Sequence, residues 1–436
     1  KGKSDPPPES HARLSAAGLR RTLDRVSSEV SAVLPFPRVS LCLSLVATAP
    51  AVAGSLSAME ELGKAIFFDP SLSEPAGQAC ATCHGPTAGW TGPDSPINAA
   101  GAAYPGAIRE RLGNRKPPSI AYATAPPLYF DAAEEHFVGG NFWDGRATGW
   151  LLGNPLADQA QGPFVNPVEQ NHPGPAAVVA KVCQGPHAEV LAATFGTGVC
   201  DDVVRGYNAI AQAIAAYEMS AEVNPYSSKY DHFLRDPERY PLTAQERQGL
   251  ELFEREDKGN CAACHPSRPG PLGEPPLFTD FTYDNLGVPK NPENPWYQMP
   301  KPFNPDGAGW VDEGLGGYLK TVPRYARLAA ANRGKHKVPT LRNVDLRPSP
   351  EFVKAFGHNG HFKSLEAIVH FYNTRDALPR CEGLTDARPG NNCWPAPEIA
   401  ENLNVDEMGK LGLTAGEEQA IVAFMRTLSD GWVPAR

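Results

Sequence analysis

No stretch of this chain approaches the roughly eighteen apolar residues that a membrane-spanning helix needs. Basic residues are outnumbered, 40 Lys and Arg against 49 Asp and Glu, for a net charge of −9. The first shortage excludes a multi-span membrane protein. The second argues against a nucleic-acid partner, which requires a basic stripe to release counterions. Long apolar–polar alternations are also missing, so extended sheets are not expected. Gly and Pro, in contrast, are plentiful: 41 and 45 of 436 residues. That share stays below the level of a disordered polymer and points to turn-rich connections between modest elements. The length allows two or three domains and a sizeable core.

Residues 1–53 differ from the rest. Arg20, Arg21, Arg25 and Arg38 precede the apolar stretch Leu41–Ala53, which closes in Ala51-Val52-Ala53 before Gly54. A basic flank, a short apolar core and small residues at −3 and −1 are the parts of a secretory signal, and the segment is expected to be a leader. Removing it leaves a strongly acidic chain, suited to basic partners by long-range steering.

Cys42 lies in that leader. Four of the other cysteines fall in two matching patterns, Cys80-Ala-Thr-Cys83-His84 and Cys261-Ala-Ala-Cys264-His265. C-x-x-C-H is the attachment signature of c-type haem: two thiols add to the vinyl groups, and the adjoining His turns its imidazole onto the iron. A single zinc site made from all four thiolates would have to span an exceptional sequence gap. Cys183 with Cys200, and Cys381 with Cys393, are each close in sequence and read as two disulfides of an oxidising compartment. The expected location is the periplasm.

The haem motifs share a lead-in. Ala58–Phe68 has helical spacing before the first, and Thr243-Ala-Gln-Glu246 is a capping box opening a helix before the second. Tyr207–Ser220 reads as a packing helix, and Thr414-Ala-Gly-Glu417 caps a last one. The expected fold is mainly α: two cytochrome c-like domains, 54–230 and 231–436, with Gly/Pro-rich loops around the haems and the boundary near 222–242.

Together with the two C-x-x-C-H motifs, four segments resemble bacterial di-haem cytochrome c peroxidases: Leu62-Gly-Lys-Ala-Ile-Phe-Phe-Asp69, Phe142-Trp-Asp-Gly-Arg146, Asn166-Pro-Val-Glu169 and Lys337-Val-Pro-Thr-Leu-Arg-Asn343. The likeness spans about residues 58–430 and is greatest to the MauG group, which oxidises protein-bound aromatic residues. In the peroxidases a Met ligates the second haem, eight residues into a Ser-Leu-Glu-type helix. Here that position is Tyr372, as in the MauG group. A phenolate stabilises oxidised iron where a thioether favours Fe(II). Leu365, Ile368, Val369 and Tyr372 also share one helical face, the pattern of a core residue, and His358, His361 and His370 are rival ligands nearby.

The resemblance implies more. Many of these peroxidases carry a displaceable His over the N-terminal haem, at the position of Ile108. No His occurs between His84 and His136, so that haem is expected to be open. The family's peroxide pocket uses Gln, Pro and Glu at 0, +4 and +10, matched by Gln159, Pro163 and Glu169: an orienting amide, a residue unable to ligate iron, and a proton carrier. Trp143 matches the Trp between the haems, although about six extra residues around 149–155 separate it from Gln159. Two positions depart from the pattern. Lys116 stands where the family has a calcium-binding Asn, and a protonated Lys cannot coordinate a cation, so calcium would need other ligands. Gly259 stands at the MauG group's surface Trp, leaving Trp296, Trp310 or Trp394 as alternative exits.

The leading expectation is a MauG-type peroxidase. Hydrogen peroxide reacts at an open N-terminal haem, and a high-valent di-haem state, shared with a six-coordinate His265/Tyr372 haem, oxidises a partner. The alternatives are a cytochrome c peroxidase fed by a small cytochrome or cupredoxin, and a non-catalytic electron-transfer cytochrome. The last would leave an open haem beneath an acid–base residue without a use.

Overall fold

A computed structural model describes residues 55–434; the leader-like segment, Cys42 included, lies outside them. Ser57 and Glu60 form a reciprocal capping box that opens α1 (Ala58–Phe67). Then come α2 (Ser95–Ala99), β1 (Tyr129–Asp131), β2 (His136–Val138), α3 (Pro155–Val165), α4 (Pro175–Cys183), α5 (Ala188–Phe195) and the long α6 (Val203–Met219). The second half contains α7 (Lys229–Arg235), α8 (Ala244–Glu254), β3 (Tyr283–Asp284), α9 (Gly314–Leu319), β4 (His336–Lys337), α10 (Leu365–Thr374) and α11 (Ala415–Arg426). Strands pair only as two short antiparallel ribbons, β1 with β2 and β3 with β4. The architecture is mainly helical, as expected.

The two largest buried clusters divide the chain. One gathers Leu62, Ile66 and Phe67 of α1 with Ile210, Ile214 and Tyr217 of α6. The other gathers Leu252 and Phe253 of α8 with Ile421 and Phe424 of α11. Both rest on the same device. A Cβ on Gly63 would collide with the Ala213 carbonyl, and one on Gly249 with the Ala420 carbonyl. Each pair of helices therefore crosses backbone on backbone, at a point only glycine permits. The weak repeat seen in the sequence is a helix that precedes each C-x-x-C-H motif and is crossed by a helix that follows the motif.

One polar knot braces the second half and another binds the halves. Arg342 pairs with Asp231 at 2.9 and 3.0 Å and gives its Nε–H to Pro276 O at 2.7 Å. Asp430 accepts from the Tyr122 hydroxyl (2.8 Å), the Ser227 N–H (2.9 Å) and the Asn343 amide (2.8 Å). The disulfides are Cys183–Cys200 and Cys381–Cys393. No helix among the described residues is long and apolar enough to cross a membrane.

Candidate haem sites and the tryptophan between them

Each C-x-x-C-H motif folds as a tight 3-10 turn, with the His N–H returning to the first Cys carbonyl at 3.0 Å for His84 and 2.9 Å for His265. All four thiols are free, and burial pushes those of Cys80, Cys83 and Cys261 up to about 12. His84 Nδ1 lies 3.0 Å from Pro118 O and His265 Nδ1 lies 2.8 Å from Phe278 O. A carbonyl only accepts, so Nδ1 carries the proton and Nε2 keeps its lone pair, the arrangement a metal-ligating imidazole needs. The donor set fits haem at both motifs.

Of the distal residues expected at the first motif, two lie on α3 and the third in the turn after it. Gln159 and Pro163 sit four apart in α3. Pro163 has no N–H to give, so the Gln159 carbonyl lacks its helical partner. The helix ends at Val165, and the turn that follows returns the Gln170 N–H to Pro163 O at 3.0 Å. This turn brings Glu169 near Cys80 and Cys83, whose thiols its charge helps raise. Burial lifts the Glu169 carboxyl above its usual range, against the pull of Arg146 and a 3.0 Å bond from the Asn166 amide. The Glu169 carbonyl accepts from Ala107 N–H at 2.7 Å, which puts Ile108, in place of the family's displaceable His, beside this turn.

Around the second motif a cavity is lined by Cys261, Cys264, His265 and Tyr372, with Leu365, Ile368 and Val369 from the same face of α10. The helical stripe that reads as core in the sequence is thus a cavity wall. Burial raises the Tyr372 hydroxyl strongly, with Cys264, Cys261 and Asp284 adding to it. His370 points elsewhere, pairing with Glu418 at 2.9 Å. Met408 also reaches the cavity, but its sulfur takes a 3.4 Å contact from Arg375.

The same cavity continues past Trp143 to Lys116, Thr91 and Ser119. Trp143 is 9 % exposed and gives its indole N–H to Lys116 O at 2.8 Å. Lys116 Nζ donates to Thr91 Oγ1 (2.8 Å) and Pro117 O (3.0 Å), and burial draws its pKa down to about 7. Beyond Trp143 lies a buried polar cluster that sequence reading missed. His336 and His358 stack with centroids 3.6 Å apart, and the Trp143 and His358 rings are 6.5 Å apart. Asp312 takes two 2.6 Å bonds from Arg115, which also reaches Asp144 at 2.7 Å. Asp312, His336 and His358 bring three donor atoms together. Parallel rings aim their lone pairs side by side rather than at one point, and Arg115 already occupies both Asp312 oxygens, so the cluster is poorly shaped for a metal ion.

The arrangement is two C-x-x-C-H turns whose donor sets suit haem, with Trp143 on the wall of the cavity that holds the second. The family model for di-haem cytochrome c peroxidase matches residues 57–239. The chain is 36% identical over 376 residues to methylamine utilization protein MauG of Paracoccus denitrificans, covering 86% of this chain and 89% of that protein. It is 29% identical over 314 residues to cytochrome c551 peroxidase of Nitrosomonas europaea, covering 71% of each. Among solved structures, the diheme peroxidase BthA from Burkholderia thailandensis superposes with a TM-score of 0.67 at 31% identity, covering 87% and 88%. A tyrosine-to-methionine variant of that enzyme reaches 0.70. The chain belongs to the di-haem cytochrome c peroxidase and MauG family, whose members are haem oxidoreductases acting with peroxide.

Proposed function

We propose that this protein is a periplasmic peroxidase of MauG type, which uses hydrogen peroxide to withdraw electrons from an external donor such as an aromatic side chain of another protein. The observation that carries this reading is Tyr372 lining one cavity with Cys261, Cys264 and His265. Cys80 and Cys83, and Cys261 and Cys264, would hold the haems covalently, and His84, His265 and Tyr372 would supply protein ligands to the iron. Bound haem supplies the iron that accepts oxidising equivalents from peroxide and stores them.

The chain's own residues do the rest. Glu169 takes a proton from the near peroxide oxygen and returns it to the leaving one. Gln159 orients peroxide through its amide, and Pro163 offers no atom that could close the site. Trp143 passes electrons between the two sites. Lys116, hydrogen-bonded where the family's calcium ligand stands, makes calcium unnecessary in this reading. The two disulfides and the C-x-x-C-H motifs support export.

One equivalent of hydrogen peroxide added to the fully oxidised holoprotein, followed from the Soret band into the near infrared, tests the proposal. An immediate change at both haems, lost in Tyr372→Met, is expected. Inertness until one haem is reduced would replace it with a conventional cytochrome c peroxidase fed by a small cytochrome or cupredoxin. Met408, at the same cavity, is the residue that favours this second reading.

A further inference from the structure

The route out through the residue at 259 is closed. A Cβ on Gly259 would run into the Leu252 carbonyl and press on Ile421, so no side chain fits there. From Trp143 one bonded connection runs the other way, to a surface cleft. Trp143 precedes Asp144, Asp144 is tied to Arg115 at 2.7 Å, and Arg115 clasps Asp312 twice at 2.6 Å. Two residues before Asp312 stands Trp310. It is partly exposed and lines a surface cleft with Arg115, Asp144, Asp312 and Tyr318.

The other candidates fare worse. Trp394 is 3 % exposed, enclosed by Phe362, Phe371 and His370, with its N–H on Thr374. Trp296 is buried against Trp310, ring centroids 6.1 Å apart. Trp150 is exposed, but the Arg324 guanidinium lies over its ring at 3.9 Å, and a cation there opposes a positive hole. Tyr297, 6.0 Å from Trp310, has the Lys290 ammonium 4.0 Å above its ring. No cation lies over the Trp310 ring among the described residues; the Lys290 ammonium reaches only its backbone carbonyl, at 3.3 Å.

Building on the function proposed above, we infer that Trp310 is the exit residue for oxidising equivalents, joined to Trp143 through the Asp144–Arg115–Asp312 bridge. One electron passes from Trp310 to oxidised Trp143, and a one-electron donor resting in the cleft then refills Trp310. No bond forms or breaks in these transfers. Two donor electrons and two protons, with one peroxide, balance to two waters.

The test uses holoprotein, hydrogen peroxide and the one-electron dye tetramethyl-p-phenylenediamine. In Trp310→Phe the spectral response to one equivalent of peroxide should keep its wild-type rate, while the oxidised state persists at least tenfold longer and dye oxidation falls at least tenfold. Trp310→Tyr, which keeps a redox-active ring, should recover part of the loss; a packing defect would show instead as a lowered Tm in both variants. In wild type without donor, peptide mapping after peroxide should find oxygen added at Trp310 ahead of Trp394 and Trp432. Normal peroxide reactivity with unchanged dye oxidation in Trp310→Phe overturns the exit alone. No peroxide response in wild type overturns the proposed function and the exit with it.

Discussion

Trp143 gives its indole N–H to the backbone carbonyl of Lys116 at 2.8 Å, so the one proton it could lose faces an acceptor that cannot take it. An oxidised Trp143 therefore keeps its proton and carries a net positive charge. The Lys116 ammonium lines the same cavity and titrates at about 7. Below that pH it is charged and opposes the hole; above it the opposition disappears. The yield of the peroxide-generated oxidised state should rise as pH climbs through about 7. In Lys116→Met that rise should be absent, measured by near-infrared absorbance across pH 6–8.

The proposed reaction uses Glu169 as a base, and burial lifts its carboxyl above the ordinary range. Acidification should protonate it earlier than a surface carboxylate, so the peroxide step slows as pH falls, starting at a higher pH than an unperturbed Glu would give. Glu169→Gln should cost roughly 10²–10⁴-fold in that step and flatten the acid limb, read by stopped-flow absorbance.

Metal removal separates this chain from calcium-binding relatives. Dialysis against a chelator should leave the wild-type peroxide response unchanged, because Lys116 already bonds Thr91 and Pro117 with its own positive charge. Lys116→Asn, which restores a neutral oxygen donor, should make the response calcium-dependent.

Glu218 lies buried on α6, and burial raises its pKa from 4.5 to about 8. The unfolded chain ionises this carboxyl near 4.5 and the folded one near 8. Folding stability therefore falls as pH rises between those values and is level outside them. At about 1.4 kcal/mol per unit the loss is at most roughly 5 kcal/mol. Glu218→Gln should raise Tm at pH 8 and leave it nearly unchanged at pH 4.5.

Gly63→Ala and Gly249→Ala should each cost about 1–3 kcal/mol or more, because the new methyl must push apart two helix backbones. Loss of haem from one site only, seen by pyridine haemochrome quantitation, would show that each crossing serves its own motif.

Local chemistry was legible in the sequence. The Thr243/Glu246 and Thr414/Glu417 capping boxes form as written, and the helix read over 207–220 matches α6, which starts earlier because Asp202 caps it and ends at Met219. The cysteine pairs also agree. Capping and haem motifs are local, so a short window contains all their information. The cluster beside Trp143 was not legible. Arg115 meets Asp312 across 197 residues, and His336 and His358 come together from a two-residue strand and a loop. No periodicity marks such meetings. Likewise Trp296, Trp310 and Trp394 could be named as exits from the sequence, but only burial separates Trp310 from the other two.

The bond from Tyr122 to Asp430 spans 308 residues. During synthesis, α1 and α6 can cross at Gly63 long before Asp430 exists, whereas the knot around Tyr122, Ser227 and Asn343 must wait for it. The first haem motif thus enters its own fold while the seam between the halves is still open. On the proposed reading, haem addition at Cys80 and Cys83 would not have to wait for that seam to close.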